Sequence, residues 1–459
     1  YHAEFVKNFN DLDFSYDLYT TTMTDYHAEH VKAYLKRMYD NGFIYEKEEE
    51  QDFCPSCNTF LSDREIIGVC PHCHGVAKGD QCDNCLATLS ASEVLDKKCA
   101  NCGSKTILKP NKHLYFALSK FQDKTKKLTD DHANIWRYNA VNETYKFLDM
   151  GLIDRAVTRQ LEWGIDVPFE HFEDKKIYVW IEAVLGYLTA GNKVADDKGI
   201  DFEKFMQKGN VTSYYVHGKD NIPFHTVIYP SLLMAIDENI DLPDHIISCE
   251  YVNMNNEKMS KSKGNLISIN ELTSMFDKDS IRYFMLANGP ENKDTNFSMQ
   301  DFITNHNKFL VGTLGNFVNR NLSFMNKKFD GKICEGKIDE NIKALTKDYY
   351  NEIGSLIERG KIKSAIEKAF DYVSEGNRYY SDRKPWEQVN NDIDEFNNTT
   401  YTCVYMMANM ANMLMPFIPH TCERIKAKLA LDFAPSWKEV EIQGDLQVQN
   451  NELLFERLQ

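Results

Sequence analysis

No run of apolar residues in this 459-residue chain reaches the roughly 18 needed to cross a bilayer. The richest stretch, 404–418, is broken by Asn409, Asn412 and Pro416. No secretory signal is visible in the opening Tyr-His-Ala-Glu-Phe, which has neither a basic start nor an apolar core. The first residue is not Met, so residues upstream of it are expected. Positive charge is short: 53 Lys and Arg face 69 Asp and Glu, for a net charge of −16. That argues against a nonspecific polyanion binder, although a local basic face can sit on an acidic protein. There is no internal repeat and no long low-complexity tract. What is present is ordinary globular material, 42% hydrophobic and 12% aromatic, of a length that suggests two to four domains. The expected compartment is the cytoplasm.

The cysteines are grouped. Eight of the twelve form four Cys-x-x-Cys pairs, Cys54/Cys57, Cys70/Cys73, Cys82/Cys85 and Cys99/Cys102. Cys249, Cys334, Cys403 and Cys422 stand singly. A disulfide framework spreads its cysteines through a short secreted chain. Regular pairs in a long chain without a signal read as metal ligands. Eight thiolates make two tetrahedral four-thiolate sites of the closed, structural zinc type. Adjacent pairs could share an ion, or the inner pairs could share one inside a site made by the outer pairs. His72 and His74 are competing donors, but the thiolate count is already complete.

Periodicity sketches the organisation. Residues 1–50 read as helical, with Val31, Tyr34, Leu35 and Met38 on one stripe and Asn41-Gly42 as a stop. Residues 53–109 form the cysteine-rich insert. Amphipathic helical spacing returns over 113–150, with Trp136, Val141, Tyr145 and Leu148. Short runs rich in β-branched and aromatic residues at 177–181, 213–216 and 246–248 read as strands, with a helix at 224–236 between them. Strand–helix–strand alternation predicts a parallel sheet with its ligand site at the carboxyl ends of the strands. Trp180, the His217–Asp220 segment and the residues after Cys249 fall at those ends. From about 300 strands are expected to disappear. Phe302, Phe309, Leu310, Leu314 and Phe317 share a stripe, and helices at 341–358, 361–380 and 399–429 predict an α-helical bundle.

The sharpest local signal is Lys258-Met-Ser-Lys-Ser262, after a predicted strand and beside Asn255, Asn256 and Gly264. Two lysines three apart, with hydroxyls and a glycine, suit a loop that closes on phosphates and neutralises charge developing on a leaving pyrophosphate. A solvated basic turn is the plain alternative. This pentapeptide resembles the second signature of class I aminoacyl-tRNA synthetases. The runs Arg159-Gln-Leu-Glu-Trp-Gly-Ile165, Tyr178-Val-Trp-Ile-Glu-Ala183 with Gly186-Tyr187, and His217-Gly-Lys-Asp-Asn-Ile-Pro-Phe-His225 resemble the methionyl-tRNA synthetases in particular. The resemblance runs through almost the whole chain in the expected order.

That resemblance implies a Rossmann-like α/β fold, its first part missing, with a zinc insert and an α-helical anticodon-binding bundle. It implies ATP-dependent activation of L-methionine to the adenylate and transfer to tRNA(Met), with magnesium accompanying the ATP. The methionine side chain is assigned to Trp180, Ala183, Val184, Tyr187, Asn221 and His225. An aromatic pocket suits a polarizable thioether. Many family members carry proline where this chain has Val184. Gly218, Asp220, Val252 and Lys261 are the implied ATP contacts; Lys258, Lys261 and Arg159 are the implied active-site cations. Nested metal pairing is favoured, because single-zinc relatives keep the inner pairs: Cys70, Cys73, Cys82 and Cys85 share one ion, and Cys54, Cys57, Cys99 and Cys102 the other. Asn316, Arg320 and Trp386 are the implied anticodon readers, while a third polar position of some relatives is Gly312 here. Read alone, Trp180, Tyr187 and Trp386 are as readily core aromatics, Arg159 and Arg320 surface cations, and His225 a satisfied core group.

The domains expected on this basis are a first-half catalytic segment at 1–50, the insert at 51–150, a second-half catalytic segment at 151–250, a linking region with the Lys-Met-Ser-Lys-Ser loop at 251–300, and the bundle at 301–459. The family's first signature, of His-x-Gly-His type, does not occur, and His72-Cys-His-Gly75 cannot replace it. These residues by themselves are therefore expected to be inactive in methionine activation. No dimerisation domain is expected within them. Two other readings are a noncatalytic tRNA-binding or zinc-scaffold protein and a synthetase for another apolar amino acid; the intact Lys-Met-Ser-Lys-Ser loop and methionine pocket favour the enzyme.

Overall fold

The computed structural model describes residues 1–79, 82, 84–85, 89, 91–259, 264–449 and 452–459. The chain divides into two compact units, one comprising 1–16, 216–219 and 247–459 and the other 17–215 and 220–246.

The second unit is built around two helices. The Asp25–Asp40 helix starts at Thr24, whose side chain accepts from His27 N, and buries Val31, Tyr34, Leu35 and Met38 as the spacing predicts. The Val179–Lys198 helix buries Ile181, Val184, Leu185 and Leu188 and ends at Gly199, whose φ of 67° suits glycine. Both helices contribute to one apolar core with Leu114, Phe116, Val227, Tyr229 and Leu232. Two expectations fail here. Residues 177–181 are not a strand, since only Lys176–Ile177 is extended and the helix begins at Val179. Nor is 1–50 helical throughout, because Ile44–Cys54 is a strand paired antiparallel with Ile107–Phe116. That ladder also takes the first residues of the 113–150 stretch, whose helices are Gln122–His132 and Tyr138–Asp149.

The long hairpin carries the insert. Its sheet runs Thr59–Phe60, Ile44–Cys54, Ile107–Phe116, Arg155–Ala156, and a smaller sheet runs Val76–Lys78, Ile66–Val69, Leu95–Cys99. Tyr214–Gly218 and His245–Cys249 form a two-stranded sheet close to the expected places. The expected helix at 224–236 opens as a π-helical turn, Phe224–Ile228, and continues as the α-helix Tyr229–Ile236.

The first unit holds a parallel pair, Val252–Met254 with Thr295–Phe297, and a hairpin that returns through Asn255 and Asn256 to Glu257–Lys258. Both asparagines have positive φ, 51° and 65°, as a two-residue hairpin turn requires. Its bundle comprises Met299–Asn305, His306–Gly315, Asn316–Phe329, Glu340–Glu358, Ile362–Arg383, Ile393–Leu414 and Pro419–Leu429. The helix expected over 399–429 is thus two helices, separated at Pro416 and Pro419. Strands do not vanish after 300, because Lys332–Ile333 pairs with Leu446–Gln447. Among the described residues no helix is long and apolar enough to cross a membrane.

Candidate active site and metal centres

The eight paired cysteines converge in two groups. Cys54, Cys57, Cys99 and Cys102 form one and Cys70, Cys73, Cys82 and Cys85 the other, with the ligand atoms of each group within 4.8 Å of one another. This is the nested arrangement. The hairpin explains the outer group: Phe53 lies opposite Ile107 in the ladder, so Cys54 ends its strand near the segment that returns from the knuckle. The Sγ–Sγ separations are 3.4 Å for Cys54–Cys102, 4.0 Å for Cys57–Cys99, 3.8 Å for Cys70–Cys85 and 3.5 Å for Cys73–Cys82. A tetrahedral zinc with bonds of about 2.3 Å needs sulfurs about 3.8 Å apart. The donor sets therefore fit zinc. The amide of Asn84 donates to Cys73 Sγ at 3.4 Å and, with the Gly75 backbone, lowers that thiol to about 6. A hydrogen bond from Ser104 does the same for Cys102. Both effects favour the thiolate form that a metal requires. His72 and His74 are exposed and outside both groups.

The methionine-pocket candidates Trp180, Ala183, Val184 and Tyr187 share the first turns of the Val179–Lys198 helix. Tyr187 and His225 meet directly, Oη to Nε2 at 2.8 Å. His225 Nδ1 lies 2.8 Å from the Asn221 carbonyl. A carbonyl only accepts, so Nδ1 carries the proton, and in the neutral ring Nε2 accepts from the Tyr187 hydroxyl. The chain Tyr187–His225–Asn221 thus fixes the phenol with its oxygen lone pairs free of that donation. Asn221 takes part through its backbone. His225 is 4% exposed, whereas Trp180 and Tyr187 are 46% and 45% exposed, so the two rings offer faces. Val184 is buried and faces the core. Desolvation raises the Tyr187 phenol above its ordinary value, which keeps it protonated.

Sequence reading missed the rest of this aromatic wall. Phe224 stacks on Trp180 at 4.7 Å and 24°. Tyr215 and Tyr229 stand edge-on to Tyr187 at 5.3 and 5.6 Å. Phe224 lies within the quoted His217–His225 run, but nothing in its spacing marks it as a partner of Trp180. Behind the stack lies an apolar cavity of about 390 Å³ lined by residues including Tyr178, Trp180, Ile181, Phe224 and Val227. Arg159 packs over the Tyr178 ring at 4.2 Å, and its Nη1 donates to Thr158 O.

In the other unit, Gly218 is exposed, and a Cβ there would meet nothing within 4 Å. Val252 sits in the parallel pair. Lys258 closes the asparagine hairpin, with Nζ 5.3 Å from the Tyr251 ring. Lys219, unmarked by the sequence reading, lies over the same ring at 4.1 Å and bonds Glu250 at 2.7 Å and Asp294 at 2.9 Å. These hydrogen bonds raise its pKa. Asp220 is exposed and belongs to the same unit as Trp180. Lys261 lies outside the described residues.

The anticodon candidates gather along one side of the Ile362–Arg383 helix. Asn316 Nδ2 donates to Asn377 Oδ1 at 2.9 Å. Arg320 donates to Ser381 Oγ at 3.3 Å and stacks over Tyr380 at 4.8 Å. Trp386 leans on the same tyrosine, with ring centroids 5.8 Å apart, and remains 40% exposed. Tyr380, Asn377 and Ser381 are the supports that spacing did not reveal. Gly312 is exposed, and an added Cβ would lie 3.1 Å from Asn307 O.

Residues 1–322 match the family model described as tRNA synthetases class I (M), and residues 334–456 match the anticodon binding domain of methionyl tRNA ligase. The methionine–tRNA ligase 1 of Alkaliphilus oremlandii is 42% identical over 458 residues, covering 100% of this chain and 84% of that protein. The methionine–tRNA ligase of Bacillus cereus strain B4264 is 43% identical over 433 residues, covering 94% and 79%. Among solved structures, Mycobacterium tuberculosis methionyl-tRNA synthetase in complex with methionyl-adenylate superposes with a TM-score of 0.77 at 23% identity, covering 99% of this chain and 85% of that one. That likeness establishes the fold, an α/β domain with its insert followed by a helical domain. On the family models and the identities that span nearly all of this chain, it belongs to the class I methionyl-tRNA synthetases.

Proposed function

We propose that this aminoacyl-tRNA ligase holds the methionine side chain against Trp180, Ala183 and Tyr187, with His225 and Asn221 fixing the tyrosine hydroxyl. The observation that carries this reading is the Tyr187–His225–Asn221 chain, which sets the direction of one polar group in an otherwise aromatic wall. Sulfur packs well on aromatic rings, and a pinned hydroxyl discriminates a thioether from a plain hydrocarbon better than a rotating one. The methionine carboxylate attacks the α-phosphate of ATP, the adenylate forms and pyrophosphate leaves; the tRNA terminal hydroxyl then displaces AMP. Arg159 supplies a cation for the carboxylate or phosphate, Gly218, Asp220 and Val252 contact the nucleotide, and Lys258 and Lys261 neutralise charge growing on the leaving pyrophosphate. Magnesium accompanies ATP. Two zinc ions, held by the two thiolate groups, fold the insert. Asn316, Arg320 and Trp386 read the anticodon of tRNA(Met), and the enzyme works in the cytoplasm.

Residues 1–459 contain no His-x-Gly-His signature, so taken alone they are expected to support no methionine-dependent pyrophosphate exchange, whereas a protein that joins that signature to them supports it. In that protein, Trp180→Ala should raise the KM for methionine by about tenfold or more, from the loss of a large aromatic contact. Lys261→Ala should lower kcat for adenylate formation with little change in methionine KM, the pattern of a contact made in the transition state. Equal methionine KM in wild type and Trp180→Ala would reject the pocket.

A further inference from the structure

We propose that His27 is a positioning residue for methionine binding: it clamps the Val179–Lys198 helix through Glu182 and Thr189. The proposal rests on the methionine-site reading above. Trp180, Ala183 and Tyr187 occupy one face of that helix, whereas Glu182 and Thr189, seven residues apart, occupy another and face the Asp25–Asp40 helix. The clamp runs alongside the pocket wall, because Glu182 follows Trp180 by two residues and Thr189 follows Tyr187 by two.

The contacts are short and buried. His27 Nε2 lies 2.7 Å from Glu182 Oε2, and His27 Nδ1 lies 2.8 Å from Thr189 Oγ1. His27 is 2% exposed, Glu182 9% and Thr189 3%. Proton accounting fixes the roles. Thr189 has one hydroxyl proton and donates it to Gly186 O at 3.1 Å. Its oxygen must therefore accept from His27 Nδ1–H. The remaining contact needs one further proton between His27 Nε2 and the Glu182 carboxyl. Imidazolium with carboxylate, or neutral imidazole with carboxylic acid, supplies it equally. Either form satisfies both ring nitrogens of His27.

A buried pair of this kind is a poor way to gain stability, since well-packed apolar side chains of similar volume do as well or better. What it does supply is register. The helix can neither rotate nor slide without leaving a buried polar atom unpaired, which costs its full desolvation. Trp180 and Tyr187 inherit that register, and a small displacement of a binding wall costs disproportionate affinity. No mechanism step uses His27 as acid or base, and it does not touch the substrate.

The test is pyrophosphate exchange by an enzyme that carries the His-x-Gly-His signature joined to these residues, with methionine and ATP varied separately and melting temperatures measured alongside. Glu182→Leu and Thr189→Val should raise the methionine KM by about tenfold and about threefold, leaving the ATP KM within about twofold. Glu182→Gln should bring the methionine KM back to within about threefold of wild type, because its amide donates to Nε2 of a neutral His27 while Nδ1–H stays on Thr189. His27→Ala should resemble Glu182→Leu; if it does not fold, Thr189→Val and the Gln-against-Leu contrast decide. A lowered melting temperature with methionine KM unchanged in these variants overturns the proposal, as does equal KM for Glu182→Gln and Glu182→Leu. If Trp180→Ala raises methionine KM while Thr189→Val and Glu182→Leu do not, the clamp is wrong and the pocket stands. If Trp180→Ala has no effect, the pocket reading fails and takes the clamp with it.

Discussion

Among its described residues, the insert around the paired cysteines has small apolar clusters of Leu61, Ile66, Ala77, Leu89 and Val94, together with four of its own thiols. The helical bundle buries whole helices, with Tyr372, Tyr401, Tyr405, Phe317 and Phe396 among its most enclosed side chains. The Ile393–Leu414 helix is buried almost all round, so its place is set by packing on several sides. Each knuckle instead fixes four points, and its backbone follows from them. The bundle spreads its stability over many contacts, while the insert, with zinc bound as proposed, concentrates it in eight sulfurs. A fault in the first should therefore be partial and in the second nearly total.

Metal removal is the strongest way to break the comparison. Metal analysis should give two zinc ions per chain, and Cys99→Ser should leave one. Apparent zinc energies run to about 10–16 kcal/mol, so chelation should abolish amide protection across the knuckles while the Ile362–Arg383 helix keeps its own. Equal loss in both regions would make the insert part of a common core and defeat the contrast. Phe317→Ala is the matching fault in the bundle. Phe317 is fully enclosed, and its ring packs where a Cβ on Gly376 would lie 2.8 Å from Cζ. Denaturant titration should show a loss of about 3–5 kcal/mol, with the zinc content still two. A smaller effect is expected of Trp386→Ala, which removes a half-exposed ring from Tyr380. If that ring stacks on an anticodon base, tRNA affinity should fall by about ten- to a hundredfold for tRNA carrying the methionine anticodon and little for one with that anticodon changed. Equal losses for both tRNAs, or no loss in either, would make Trp386 a packing residue.

The Ile-Tyr-Val-Trp-Ile run at 177–181 shows where local reading failed. Its β-branched and aromatic residues favour a strand by propensity, but Ile181, Val184, Leu185 and Leu188 find their core only at helical spacing. Tertiary burial overrode the local preference. The opposite error occurred at 44–50, which was included in the helical reading of 1–50 and which pairing with Ile107–Phe116 made a strand. A ladder partner more than 50 residues away leaves no mark in the segment itself.

What the sequence determined by itself was what depends on short spacing: the Cys-x-x-Cys pairs, the stripes of the bundle helices and the Lys-Met-Ser-Lys-Ser segment. Each is complete within a few residues, so its chemistry is written in its own order. The nested grouping of the thiols was read through a family resemblance, and the hairpin supplies its physical cause, bringing Cys54 and Cys102 to an Sγ–Sγ distance of 3.4 Å. Only the tertiary structure decided which groups meet across distance: Trp180 with Phe224, Tyr187 with His225, Arg320 and Trp386 on Tyr380, and His27 with Glu182 and Thr189. In every one of these the partners lie on different elements, or on turns whose relative rotation is fixed by burial. Contact then depends on how helices pack and which protons are available, which no local pattern encodes.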